Sequence, residues 1–381
     1  MAESNLHTML CEMLAIKYPI VLAGMGSASG PALTAAVSNA GGLGVLGAID
    51  LEADQLREWI QETKRLTNKP FGVDTVFPAG LPETGKAEDI KEKLPEEGLA
   101  FAEKMRNKIG APRVKGRPGQ RVVSRKVIEE QVEVILDEKV PVLVSGLGDP
   151  RWAIPDSHER GITVMAVVGS VKAAQNLTEG GVDAIIAQGS EGGGHTGRVG
   201  TFVLTPQIVD AVNPMPVLAA GGVGDGRGLV AALALGAVGV WVGTALVATH
   251  EACIDHVKIG EFTQDEIDVW KQKILSSTAE DARITKLYTG KTLRMLSNSL
   301  TDMWEKEKGP YLPMPLQMAL MADLQQGIRE GGLKEYYGWT PAGQGTGMIT
   351  ELKSVEQVIS QMVTETVFLL KHKLPPVVDD R

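Results

Sequence analysis

The sequence predicts an α/β chain folded as a (βα)8 TIM barrel, and three observations predict it. Eight short runs are continuously apolar, which is how parallel strands covered by helices on both faces read. Helical patterns separate them, and eight such strands are the number that closes a barrel. The chain has 44 glycines in 381 residues, most of them gathered at the ends of apolar runs. An open doubly wound sheet is the competing architecture. It would usually place a GxGxxG loop directly after the first strand, and Gly24, Gly26 and Gly30 miss that spacing.

The elements follow in order. Residues 18–23 form the first strand and end at Gly24-Met25-Gly26. Residues 31–40 have helical spacing, with Pro31 near the start and Gly41-Gly42 after the end. Strand two is 43–49, an amphipathic helix covers 51–66, and strand three is 71–77. The alternation then breaks over 78–125, a stretch rich in charge, Pro and Gly that reads as an insertion. A helix resumes at 127–136. The remaining strands are 140–145, 162–168, 184–187, 217–220 and 239–242, with helices at 171–178, 206–212 and 228–235. Residues 1–248 with 349–381 are expected to form the barrel, closed by an amphipathic helix over 354–373. Residues 249–348 are expected to form a helical cap at its C-terminal rim.

Composition excludes several classes. The formal net charge is −9 at pH 7, which argues against nonspecific nucleic-acid binding. Cys11 and Cys253 lie far apart with no CxxC spacing, so neither a disulfide framework nor a metal site is expected. No apolar run reaches membrane-spanning length, and residues 1–10 lack the apolar core of a signal peptide. A cytoplasmic protein is the expectation. His158, His250 and His256 show no metal spacing and are expected at the surface.

Chemistry gathers where strands end, as it does in TIM barrels. The loop Gln188-Gly189-Ser190-Glu191-Gly192-Gly193-Gly194-His195 follows the sixth strand and sets one imidazole beside a backbone of little bulk. Glycines let a backbone approach a ligand closely, and the histidine can exchange a proton with whatever is bound. Gly221-Gly222 follows the seventh strand and Gly243-Thr244 the eighth, the place where barrels commonly hold a phosphate. No Walker lysine motif or dinucleotide fingerprint accompanies them, which suggests a mononucleotide such as FMN.

These motifs occur in order with Asn39-Ala40-Gly41-Gly42-Leu43-Gly44, Asp225-Gly226-Arg227-Gly228 and Pro341-Ala342-Gly343-Gln344-Gly345. Together they resemble the nitronate monooxygenase (2-nitropropane dioxygenase) family of FMN-dependent barrels, over about residues 18–347 apart from the insertion. The resemblance implies FMN without a metal, and His195 as the catalytic base. It implies cofactor contacts from Gly24, Met25, Asp74, Gln188, Gly193 and Gly194, with phosphate contacts from Gly221, Gly222, Gly243 and Thr244. Asp74 stands where the family commonly has an asparagine.

The function expected is oxidation of alkyl nitronates with O2. The alternative is an NAD(P)H-linked FMN oxidoreductase acting on acyl-CoA or acyl-carrier thioesters, or on quinones. Expected partners are a small-molecule substrate and, for the alternative, NAD(P)H or a CoA thioester; a homodimer is compatible with either. One feature favours the alternative. Between 104 and 126 lie Lys104, Arg106, Lys108, Arg113, Lys115, Arg117, Arg121, Arg125 and Lys126 with no acidic residue. That run reads either as a solvated face or as a patch for a phosphorylated carrier.

Overall fold

The structure, a computed structural model, describes residues 6–26, 28–49, 51–80, 90–114, 124–337 and 340–375. Eight strands alternate with helices: β1 Ile20–Leu22, β2 Gly44–Gly47, β3 Phe71–Phe77, β4 Val142–Gly148, β5 Thr163–Val168, β6 Ala184–Gln188, β8 Val217–Ala220 and β9 Gly239–Val242. The short β7, Gly194–His195, lies outside the barrel. All eight barrel strands are parallel, in the order β1-β9-β8-β6-β5-β4-β3-β2. A parallel bridge between Val21 and Leu43 closes the ring. There Leu22 N–H donates to Leu43 O and Leu43 N–H to Ile20 O, each at 2.9 Å.

The expected barrel is therefore present. β3, β8 and β9 match their expected bounds, whereas β4 runs on to Gly148 instead of ending at 145. The helix expected from 206 begins at Thr201 and carries Pro206 inside it. Thr201–Thr205 offers little helical periodicity, but Glu191 holds the Thr201 N–H at 2.8 Å and so helps start the helix.

Strand alternation sorts the core. Val21, Val45, Val142, Val144, Met165, Ile186, Leu218 and Trp241 fill the barrel interior. Leu10, Cys11 and Leu14 of helix Met9–Leu14 join that cluster. The intervening strand residues face the surrounding helices. The two cysteines are free and buried. Among the described residues no helix is long and apolar enough to cross a membrane, and no group of three or more His, Cys, Asp or Glu could hold a metal ion.

Two expectations need correction. The segment after β9 is not wholly helical. It contains helices Gln264–Ser276, Ser299–Lys306 and Leu316–Glu330, but also an antiparallel hairpin of β10, Ala282–Thr285, and β11, Leu293–Leu296. The insertion carries a helix, Glu96–Ile109, whose Ala102, Met105 and Ile109 share a core with Leu287, Tyr288, Trp304, Leu320 and Leu324 of the cap. The insertion and the cap are thus packed as one layer. His256 is also not at the surface: it is fully buried, edge-on to Trp59, with Nδ1 2.6 Å from a Glu261 carboxylate oxygen. His158 is exposed and 3.0 Å from Asp183.

Candidate active site

Inward-pointing strand residues decide what the barrel mouth can hold. On β3, Val73 packs outward against the helices, and Thr75 bonds Gln131 of the outer helix Arg125–Asp137 at 2.5 Å. Asp74 between them therefore points inward. In the C-terminal half of the barrel, Asp74 and Gln188 are the polar side chains at inward strand positions.

Asp74 is 8% exposed. It fills space left by two glycines. A Cβ on Gly24 would fall 2.1 Å from Asp74 Cβ, and one on Gly146 would fall 2.5 Å from Asp74 Oδ1. Burial pushes this carboxyl well above the ordinary carboxylate range, and the Gly146 N–H offsets that only in part.

β8 and β9 are neighbours, so their C-terminal loops lie side by side. Gly221 and Gly222 both have positive φ, 95° and 75°, a conformation that glycine adopts without a Cβ penalty. Gly221 is also packed tightly: a Cβ there would meet Gly192 N and Thr201 Oγ1 at 2.9 Å. Gly243 lies beside Met25, whose Sδ would be 3.5 Å from a Cβ on it. Thr244 Oγ1 accepts a 2.9 Å hydrogen bond from Gly343 N–H. The structure thus brings Met25, Gly221, Gly222, Gly243 and Thr244 to one rim.

The loop after β6 is fastened from several sides. Gln344 N–H donates to Glu191 O at 2.9 Å. A Cβ on Gly193 would fall 2.7 Å from Ala342 C, so Gly193 lies directly under segment 341–344, whereas Gly194 faces open space with φ 73°. Gln188 Nε2 donates to His195 O at 2.7 Å. β7 pairs with β11, His195 against Leu293 and Gly194 against Arg294. Arg294 Nε donates to Ser190 O at 2.8 Å, and its Nη1 donates to Ala282 O. The cap hairpin therefore positions the histidine through backbone pairing.

His195 Nε2 stands 3.1 Å from Thr289 Oγ1 on the hairpin turn. Burial lowers the His195 pKa to about 4, and the nearby Lys291 cation adds to the shift. The imidazole is therefore neutral above about pH 5. It lines a cavity of about 510 Å³ with Gln188, Gly146, Val167, Ser170, Lys286 and Lys291. Among the described residues, those two lysines are the only charged ones in its lining, in a chain of net charge −9. Sequence reasoning missed Lys286, Thr289, Lys291 and Arg294. The alternation of apolar and polar residues at 282–285, with Gly290 beyond it, was the available signal for a hairpin.

Where it is described, the basic run is paired with carboxylates, six cations sharing four. Lys104 and Lys108 each pair with Glu307 at 2.6 Å. Arg106 and Arg113 pair with Glu103. Arg125 and Lys126 pair with Glu129 and Glu130. Lys115, Arg117 and Arg121 lie outside the described residues. The acidic partners come from outside 104–126, where the run itself could not reveal them.

Comparison with known proteins agrees with this architecture. The nitronate monooxygenase family model matches residues 7–365. The chain belongs to the nitronate monooxygenase family. It is accordingly an oxidoreductase. Rv1533 of Mycobacterium tuberculosis, provisionally named a monooxygenase, is 35% identical over 94% of this chain and 96% of its own length. A provisionally named nitronate monooxygenase of Staphylococcus aureus is 30% identical over 96% of this chain and 98% of its own. Among solved structures, FabK from Thermotoga maritima has a TM-score of 0.74 and 32% identity, covering 98% of this chain and 100% of that one. Nitroalkane oxidase from Streptomyces ansochromogenes has a TM-score of 0.73 and 29% identity, covering 94% and 97%. Membership of the nitronate monooxygenase family extends over barrel, insertion and cap together.

Proposed function

We propose that this chain is an FMN-dependent nitronate monooxygenase that oxidises alkyl nitronates with O2, with His195 as the base. The observation that carries the reading is the cavity beside His195: a neutral imidazole together with Lys286 and Lys291 suits an anion, or a carbon acid that becomes one. The family match and the likeness to nitroalkane oxidase support it. The pairing of the described basic residues weakens the case for a phosphorylated carrier.

The residues present fit FMN. The mouth has an unpartnered buried oxygen in Asp74 Oδ1, and the glycines Gly24 and Gly146 sit against it where a Cβ would intrude. Gly221 and Gly222 turn their backbone through positive φ beside Gly243 and Thr244, the set proposed to hold the phosphate. Gly24, Met25, Asp74, Gln188, Gly193 and Gly194 are proposed for the rest of the cofactor. When bound, FMN supplies an electron acceptor that reacts with O2.

The protein's own contribution is proton handling and placement. With the Thr289 hydroxyl turned to Lys291 O, 3.2 Å away, the hydrogen between His195 and Thr289 belongs to the ring Nε2. Nδ1 is then the proton acceptor, and it has no hydrogen-bond partner among the described residues. It takes the α-proton of a neutral nitroalkane, while Lys286 and Lys291 hold the anion that results. A preformed nitronate needs only the second step.

The purified protein is expected to be yellow and to release FMN, not FAD, on denaturation. Under anaerobic conditions propionate 3-nitronate should reduce the flavin rapidly and NADPH slowly. A colourless protein that FMN cannot reconstitute would sink the cofactor assignment. Fast reduction by NADPH alone would replace the nitronate reading with the reductase alternative.

Replacing Lys286 and Lys291 with Met should raise KM for an anionic nitronate severalfold and remove most of its salt dependence, since exposed charges are screened over about 10 Å at 0.1 M. Unchanged KM and salt dependence would show that the two lysines play no part in holding substrate.

A further inference from the structure

We infer that Asp74 carries its proton at neutral pH and serves the bound cofactor as a neutral hydrogen-bond donor, in the manner of an amide. The inference rests on the proposal that FMN occupies the barrel mouth. Three observations carry it. Asp74 points into the barrel from the middle of β3 and is nearly fully buried. Its Oδ1 has no hydrogen-bond partner. Its side chain is wedged against Gly24 and Gly146, neither of which brings a charge.

Among the described residues, the elements around it supply no cation. β2 offers Gly44–Gly47, β4 offers Val142–Gly148, and the loop after β1 offers Gly24 and Met25. No charged group among the described residues contributes to its titration; only burial and the Gly146 N–H do. An ionised carboxylate without a cation in such a place is strongly disfavoured, and the group takes up a proton instead.

A neutral carboxyl has one O–H donor and retains acceptor capacity. Oδ1 finds no partner and is closed off from any ligand, so the O–H that serves a flavin carbonyl or nitrogen belongs to Oδ2. An ionised Asp74 would instead set a negative charge beside a ring that becomes electron-rich on reduction. The protonated form avoids that repulsion, and Asn would reproduce it while Leu would not.

Linkage sets the sign. A carboxyl whose folded-state pKa is raised leaves the fold most stable below the unfolded value near 3.9, and stability declines as pH rises toward the folded value. FMN binding should follow the neutral form. It should be strongest below the folded pKa of Asp74 and fall through it.

The test compares the wild type with Asp74→Asn and Asp74→Leu. FMN affinity is read by flavin fluorescence from pH 5 to 10, and the flavin midpoint potential is read at pH 7. FMN's own phosphate titrates equally in all three, so the differences report on residue 74. Asp74→Asn should bind within about twofold of the wild type at pH 6 and should lack the wild type's weakening at high pH. Asp74→Leu should bind about tenfold more weakly, the loss of one hydrogen bond. Infrared spectra of the unloaded wild type with isotope-labelled Asp should show a protonated carboxyl that Asp74→Asn lacks. That measurement stands even if Asp74→Leu does not fold. A carboxylate band for Asp74 at pH 7, or wild-type affinity that rises with pH relative to Asp74→Asn, would overturn the inference. Absence of FMN binding in wild type and Asp74→Asn alike would instead overturn the cofactor assignment, and the infrared result would still report the proton.

Discussion

Replacing His195 with Asn is expected to lower kcat/KM for a neutral nitroalkane by about 10²–10⁴, the usual worth of a positioned general base. The same change should cost much less with a preformed nitronate, whose α-proton is already gone. The proposed FMN should stay bound, because Gly221, Gly222, Gly243 and Thr244 follow β8 and β9 rather than β6. The pH dependence has a definite sign. Burial and Lys291 lower the His195 pKa to about 4, so His195, if it is the base as proposed, is competent above that value. The kcat/KM profile for a nitroalkane should therefore be flat on its acid side down to about pH 5 and fall below it. In a Lys291→Met variant the acid limb should move upward, toward the ordinary value near 6.5, because one of the two causes of the shift is gone. Steady-state kinetics with a nitroalkane and its nitronate in parallel checks this. Equal losses on both substrates, or loss of flavin, would make His195 a structural residue.

Arg294→Met is expected to destabilise the protein by about 2–3 kcal/mol and to lower turnover without touching any group proposed to meet substrate. Its guanidinium donates to Ser190 O on the glycine-rich loop and to Ala282 O on the cap hairpin. Hydrogen bonds from charged donors are worth about 1.5–3 kcal/mol, and the substitution leaves both carbonyls short of a donor. The second consequence concerns geometry. β7 pairs with β11 at Arg294 itself, and Thr289 reaches His195 from the same hairpin. A loosened hairpin should let water reach the imidazole, and its pKa should rise toward the ordinary value. Arg294→Lys should restore part of the stability. Chemical denaturation measures the first effect, and the acid limb of the kcat/KM profile measures the second. Wild-type stability together with an unmoved acid limb would remove Arg294 from the positioning of His195.

The barrel could be read from local pattern because a strand covered on both faces must be apolar along its length, as β8 and β9 are. The loop 188–195 could be found for a similar reason: close backbone packing, as Gly193 makes under Ala342, requires glycine and leaves a visible cluster. Element ends were harder. The helix from Thr201 starts early because a carboxylate ten residues back in the chain, Glu191, takes its first N–H. β10 and β11 were hidden because neither is continuously apolar: Arg283 and Thr285 break β10, and Arg294 breaks β11. The pairing of β11 with β7 joins segments roughly a hundred residues apart.

The amino-acid sequence by itself determined the strand count, the parallel order that follows from helical crossovers, and the rim on which the glycine loops gather. These depend on periodicity and on backbone freedom, which are properties of neighbouring residues. The tertiary structure alone decided the state of the side chains at that rim. It brought Glu307 to Lys104 and Lys108 and so offset part of the charge that the run displays in isolation. It set Lys291 and the hairpin against His195, and it removed Asp74 from water between two glycines. Desolvation and charge pairing are set by whatever surrounds a group in space, and those surroundings exist only once the ring of strands has closed and the cap has packed upon it.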